Sequence, residues 1–142
     1  MRHRVEFDRD REILLLIVDG DVRDADIDTI GICLRLGVAE FNPSAGITDF
    51  SGVTSFEVSA DCMSWAARNA SPFRNLTPHF IVAPSDHVFG LSRMFQILRN
   101  RPALYVVRSR EEALEALDIP NPGPVELWEV TETLTPDKTR PA

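Results

Sequence analysis

The sequence predicts one α/β domain: a mixed, mostly parallel sheet with an N-terminal hairpin and about four helices. Three observations carry this expectation. The run Ile13-Leu14-Leu15-Leu16-Ile17-Val18 is apolar at every position, which suits a strand covered on both faces, as strands of parallel sheets are. Strand-like stretches then alternate with segments of helical period, the order that crossover connections produce. The chain has 142 residues, 44% hydrophobic and 26% charged, enough for one core of ordinary size.

Val5 and Phe7 alternate with charged neighbours up to the polar turn Asp8-Arg9-Asp10-Arg11, and Asp19-Gly20-Asp21 stops the apolar run, so the chain opens on a hairpin. Asp24 or Asp26 is expected to cap a helix that turns Ile27, Ile30 and Leu34 inward as far as Gly37. After a loop at 42–46, residues 47–50 form a short strand ended by Ser51-Gly52. Ser59 is a natural N-cap for a helix with Met63, Ala66, Ala67 and Ala70 on its inner face. Pro72 and Pro78 bracket the connection to a strand at 79–83, which Pro84 halts. The third helix begins near Ser85 or Asp86 and buries Leu91, Met94, Phe95 and Leu98. Pro102 separates it from a strand at 103–107, and Ser109 caps a last helix with Ala113, Leu114 and Leu117 on one face. The expected sheet centres on strand 13–18, flanked by strands 47–50 and 80–83. The domain covers residues 1–119. Residues 120–142 are a Pro-rich C-terminal extension: a stiff linker at 120–124, an edge strand within 125–135 around Trp128, and a free tail.

A net charge of −7 argues against a nucleic-acid partner, which needs clustered cations. Lys138 is the single lysine, an arginine bias that genome composition explains as readily as phosphate recognition. Six apolar residues cannot span a bilayer, which takes about 20, so no transmembrane segment is expected. Arg2-His3-Arg4 is followed by no long apolar stretch, so no signal peptide is expected and the address is cytoplasmic. Cys33 and Cys62 have no CxxC spacing and read as small buried hydrophobes.

Thr48-Asp49-Phe50-Ser51-Gly52-Val53-Thr54, the stretch from Val82 through Ser85-Asp86-His87 to Arg93-Met94-Phe95, and Val107-Arg108-Ser109-Arg110-Glu111-Glu112-Ala113-Leu114 carry a resemblance. Together with the element order, they resemble the SpoIIAA-like superfamily, which includes STAS domains and shares its architecture with the CRAL-TRIO lipid carriers. The likeness is closest to short bacterial STAS-like proteins of unknown function. It implies a SpoIIAA-like fold and a binding or regulatory role. In the antagonists of anti-sigma factors, a similar strand leads into a turn whose first serine is phosphorylated. Here the turn is Glu57-Val58-Ser59-Ala60, and Val58, which occupies that position, cannot accept phosphate. Ser59 is expected to act as a helix cap, so Ser59→Asp should keep the fold.

No catalytic constellation stands out. Ser85-Asp86-His87 contains the residue types of a hydrolytic triad, but three consecutive side chains at a helix start diverge, and no GxSxG elbow is present. His79, His87, Cys33 and Cys62 make no spaced metal motif, and both histidines are expected to face solvent. The acidic residues Asp19, Asp21, Asp24, Asp26 and Asp28 lack the glycine and glutamate of a calcium loop. No enzyme activity, metal or cofactor is expected.

Ligands of open α/β sheets bind at the carboxyl ends of the strands, against helix N-termini. Ser51, Ser59, Ser85, Asp86 and Arg93 therefore form the candidate ligand or partner rim. Phe89 and Ile97 lie outside the face that docks the third helix and form the candidate interface. The reading is a non-catalytic regulatory or protein-interaction module, self-associating as a homodimer or binding another protein. The alternative is a carrier or sensor of a small apolar or anionic ligand. A cavity beneath the third helix would favour the carrier, and a filled core with a flat apolar surface the module.

Overall fold

The computed structural model describes residues 1–118 and 133–134; the linker at 120–124, Trp128 and the tail lie outside the described residues. The opening hairpin pairs β1 (Arg2–Asp8) with β2 (Ile13–Arg23) in antiparallel register, from Arg2 opposite Asp19 to Asp8 opposite Ile13. Asp8 organises the turn by accepting the backbone N–H of Arg11 at 3.1 Å, and Glu12 adopts a left-handed φ of 57°. Helix α1 (Asp24–Phe41), strand β3 (Ala45–Glu57), helix α2 (Ala60–Arg68), strand β4 (His79–Val82), helix α3 (Asp86–Arg99), strand β5 (Leu104–Val107) and helix α4 (Arg110–Ala116) follow. The two-residue strand β6 (Thr133–Leu134) pairs antiparallel with Val5 and Glu6 at the far side of β1.

The strand order is β5-β4-β3-β2-β1-β6, with β2 through β5 parallel. Alternation along β2 divides the core into two faces. Leu14, Leu16 and Val18 pack with Ile30, Leu34, Met63 and Val88 from α1, α2 and α3. Ile13, Leu15 and Ile17 pack with Ile47, Phe80, Val82 and, from α4, Ala113 and Leu114. Leu14 and Leu15 are both buried, as a strand apolar at every position requires.

Several expectations need correction. Strand β4 does not flank β2: the hairpin occupies one edge of β2 and β3 the other, so β4 pairs with the outer edge of β3. Ser51-Gly52 does not end β3. The ladder continues to Arg23 opposite Glu57, its register shifting between Ile17 and Asp19 and again between Gly20 and Asp21, each time by one extra residue on β3, with Gly20 at φ 84°. Helix α1 runs past Gly37 to Phe41 and stops at Asn42 in the left-handed conformation. Its N-cap position is Arg23, whose backbone N–H goes to the Asp26 carboxylate at 2.9 Å. The face of α3 turned inward is that of Val88 and Ser92, with Leu91, Met94 and Phe95 half-buried and Leu98 49% exposed. This follows from its neighbours: α3 packs on α2 and on β5 at the sheet edge, which leaves Ile97 and Leu98 without a covering element among the described residues. Ala70 lies past the end of α2 and is exposed.

Gly46 in β3 has the ring of Phe73, itself buried, where a Cβ would sit. Gly46→Ala should therefore destabilise the fold by about 1–3 kcal/mol through overpacking. Shortening the neighbour in Gly46→Ala/Phe73→Leu should recover part of that loss. Urea unfolding of the three proteins checks this, and equal losses in the single and double variants would disprove the contact.

Candidate functional site

At the carboxyl ends of the parallel strands, each predicted rim residue is engaged by its own neighbours. Ser59 accepts the N–H of Cys62 at 3.1 Å as the N-cap of α2, and its backbone N–H and hydroxyl donate to the two oxygens of Asp24 at 2.8 and 3.0 Å. Ser85 caps α3 through the N–H of Val88 at 3.2 Å. Asp86 pairs with Arg108 at 2.8 Å, and the Arg108 guanidinium lies 3.9 Å over the ring of Phe89. Arg93 donates to Gln96 Oε1 at 2.9 Å and is exposed. Ile97 is 68% exposed. Ser85, Asp86 and His87 diverge, His87 Nε2 meeting the Phe56 carbonyl at 2.8 Å.

Ser51 joins a group that sequence reasoning did not assemble. Its backbone N–H and hydroxyl donate to Asp49 Oδ1 at 2.8 and 2.5 Å, while Arg110 Nε and Nη2 donate to Asp49 Oδ2 at 2.8 and 2.6 Å. Asp49 is buried and Arg110 largely so. This pair ties the first turn of α4 to β3. Removing one partner of such a buried pair costs roughly 3–5 kcal/mol, because the other charge is left uncompensated.

On the opposite face of the sheet, α1, α2 and α3 do not close completely. They enclose a cavity of about 100 Å³. Its walls include Ile30, Leu34, Phe50, Phe56, Met63 and Phe95, and its side toward β3 and β4 carries Thr48, His79 and Ile81. Small residues keep it open, since Gly31 of α1, Ala66 of α2 and Ala70 border it where larger side chains would fill it. Exposed Asp28, Arg35 and Trp65 also border it, as does half-buried Arg99.

His79 is buried, not solvent-facing as expected, because Phe73 packs its ring centroid 4.5 Å from the imidazole. Its Nε2 lies 2.8 Å from Thr48 Oγ1. Burial, then the charges of Arg101 and Arg99, lower its pKa from 6.5 to about 3. It is neutral at ordinary pH. Cys33 is buried and Cys62 half-buried, and both are free thiols. Burial raises the pKa of each, Asp24 adding to the effect at Cys62.

Among the described residues no three metal-ligating side chains come together, and no helix is long and apolar enough to cross a membrane. The signal for the cavity was present in the sequence but unread: Thr48 and His79 are polar residues at buried strand positions, opposite a helix rich in alanine.

No family model and no curated protein matches the chain. Solved structures do. The unphosphorylated anti-sigma factor antagonist SpoIIAA superposes with a TM-score of 0.54 at 12% identity, over 83% of this chain and 99% of its own. An uncharacterised DUF3478-family protein from Shewanella loihica PV-4, itself of SpoIIAA-like fold, superposes with a TM-score of 0.50 at 14% identity, over 82% of this chain and 96% of its own. The fold is SpoIIAA-like, with a mostly parallel sheet, an N-terminal hairpin and four helices.

Two measurements follow from this geometry. Ser59→Ala should cost about 1 kcal/mol through the lost cap. Ser59→Asp, expected from sequence to be harmless, should cost more than Ser59→Ala, because it sets a second carboxylate against Asp24. Equal stability of Ser59→Asp and the parent chain in urea would contradict the Asp24 contact. The second concerns acid. The unfolded chain protonates His79 below pH 6.5 while the folded chain excludes that proton until about pH 3, so stability is lost as pH falls through this window. Each pH unit is worth about 1.4 kcal/mol, so between pH 7 and 5 His79→Gln should lose about 2 kcal/mol less than the parent chain. Parallel losses in both proteins would show that His79 does not titrate in the unfolded state alone.

Proposed function

We propose that this SpoIIAA-like domain is a non-catalytic regulatory module that works by binding a small, largely apolar molecule between α1, α2, α3 and the sheet. The cavity is the observation that carries the reading. A natural core is normally packed to crystal-like density, and here an apolar space is left open beside it. A void kept open by Gly31, Ala66 and Ala70 makes sense where something occupies it. Ligand sites are concave, mostly apolar and edged by a few polar groups, which describes this one. SpoIIAA, as an anti-sigma factor antagonist, lends support to a regulatory role, and that support rests on fold analogy. The engagement of Ser85, Asp86 and His87 in three separate contacts supports a binding role over hydrolysis. The Ser51, Ser59, Ser85, Asp86 and Arg93 rim serves, in this reading, to brace the helix starts above the cavity. Cytoplasmic residence belongs to the same proposal.

Exposed Ile97 and Leu98 on α3 favour a second, compatible reading: self-association through the outer face of the helix whose inner face borders the cavity. Phe89 is less suited to this, since Arg108 covers its ring. Occupancy of the cavity would then bear on the partner surface through α3.

Native mass spectrometry of the full chain reads both. The expected result is a dimer carrying a small-molecule mass excess. Ala66→Leu should lose the excess, and Ile97→Glu should halve the particle without altering its circular dichroism. Bare protein that binds no small apolar compound would sink the cavity reading. A monomer at tens of micromolar would sink self-association.

A further inference from the structure

We infer that the ligand of this cavity is a small carboxylate, its apolar body among Ile30, Phe50 and Met63 and its anionic group on the guanidinium of Arg99. The inference rests on the cavity being a binding site and adds the chemical class of what enters it.

Two guanidiniums, Arg99 and Arg101, have no counter-charge among the described residues. The ion pairs among the described residues are Arg4–Glu6, Arg11–Asp8, Arg108–Asp86 and Arg110–Asp49, so neither Arg99 nor Arg101 meets a carboxylate. Arg101 is only 8% exposed. Its Nη2 donates to the carbonyls of Arg74 and Thr77, while Nε and Nη1 are buried with no acceptor. Arg99 donates from Nη2 to the Ala66 carbonyl at 2.7 Å, stacks 4.7 Å over Phe95, and leaves its buried Nε without an acceptor. Burial, then repulsion from Arg101, holds the Arg99 pKa below the usual guanidinium value. An arginine keeps its charge under such conditions. Two desolvated cations beside one another are costly, and the chain supplies no anion among the described residues to offset them.

Arg99 borders the cavity and Arg101 does not. Arg35 also borders the cavity but is exposed, where solvent and salt screen it; an anion seated among the walls is held by half-buried Arg99, and the charge of Arg101 adds attraction without direct contact. His79, also on the lining, is neutral and cannot take that role. The acid on the rim, Asp28, is exposed, where solvent and salt screen it. A bare inorganic anion would leave the apolar walls of Ile30, Leu34, Phe50 and Met63 without a partner. What satisfies both the walls and Arg99 is one molecule with an apolar body and one carboxylate, a group whose two oxygens match the guanidinium fork. Size limits the body: an apolar cavity of roughly 150 Å³ holds benzene and this one is about 100 Å³, so nothing much larger than one ring fits and part of the molecule lies at the open side.

Benzoate and benzyl alcohol, alike in ring and differing in charge, separate the possibilities when titrated into the full chain by calorimetry and amide chemical shifts. Benzoate should bind at least about tenfold more tightly, the scale of a charge-assisted hydrogen bond, and should shift amides of α1, α2 and α3. Arg99→Gln should remove that advantage and leave benzyl alcohol binding unchanged, which also shows that the variant is folded. Should Arg99→Gln unfold, Arg99→Lys, which keeps the charge and loses the fork, should weaken benzoate alone. Equal affinity for the two compounds in the parent chain overturns the carboxylate assignment and leaves the cavity reading standing. A benzoate advantage that survives either substitution overturns the role of Arg99. If neither compound perturbs the cavity residues, the cavity reading falls and this inference with it.

Discussion

Strand β2 is the constraint from which the rest of the architecture follows. Six consecutive apolar residues must be sheltered on both faces, and leaving such side chains in water would forgo roughly 1.5–3 kcal/mol apiece. The hairpin with β1 covers one edge and β3 the other, which puts β2 inside the sheet; α1, α2 and α3 then cover one face and α4 the other. The two faces are unequal. Three helices on one side have to fit against each other as well as against the sheet, and it is there that a space remains. The short helix α4 on the other side is held by the buried charge pair of Asp49 and Arg110.

Much of this was legible because it depends on local pattern. The apolar run, the serine caps at 59, 85 and 109, and the alternation of strands with helices each follow from neighbouring residues, and the structure has them. What was not legible depends on partners distant in sequence. Ser51-Gly52 has the composition of a strand end, yet pairing with β2, across two irregularities in the ladder, carries β3 six residues beyond Ser51. His79 begins a strand, and nothing nearby announces that Phe73 will cover it. The buried face of α3 shifted to Val88 and Ser92 because the helix packs at a sheet edge, a fact of topology that periodicity cannot supply. The cavity is the hardest case, since its borders come from three helices and two strands, and no single segment records it.

The arginine bias, given little weight in the sequence, acquires meaning in the fold. Arg110 uses two nitrogens on one carboxylate oxygen, Arg101 reaches two carbonyls, and Arg99 and Arg108 lie over phenylalanine rings. A lysine ammonium has neither the planar fork nor the stacking surface these contacts use. Whatever set the genomic preference, the fold has come to depend on guanidinium shape at several points.

The link between Asp49 and Arg110 also has a bearing on how the chain comes into being. These residues are 61 apart, and synthesis proceeds at roughly 5–20 residues per second, so the carboxylate leaves the ribosome on the order of 3–12 s before its guanidinium. In that interval β2 and β3 can pair and the first three helices can gather on their side, all from chain already made. The other side of the sheet, with Leu15, Ile47 and Val82 uncovered and Asp49 still wanting a cation, has to wait. Until α4 is made, Leu15, Ile47 and Val82 lack the helix that covers them in the finished fold.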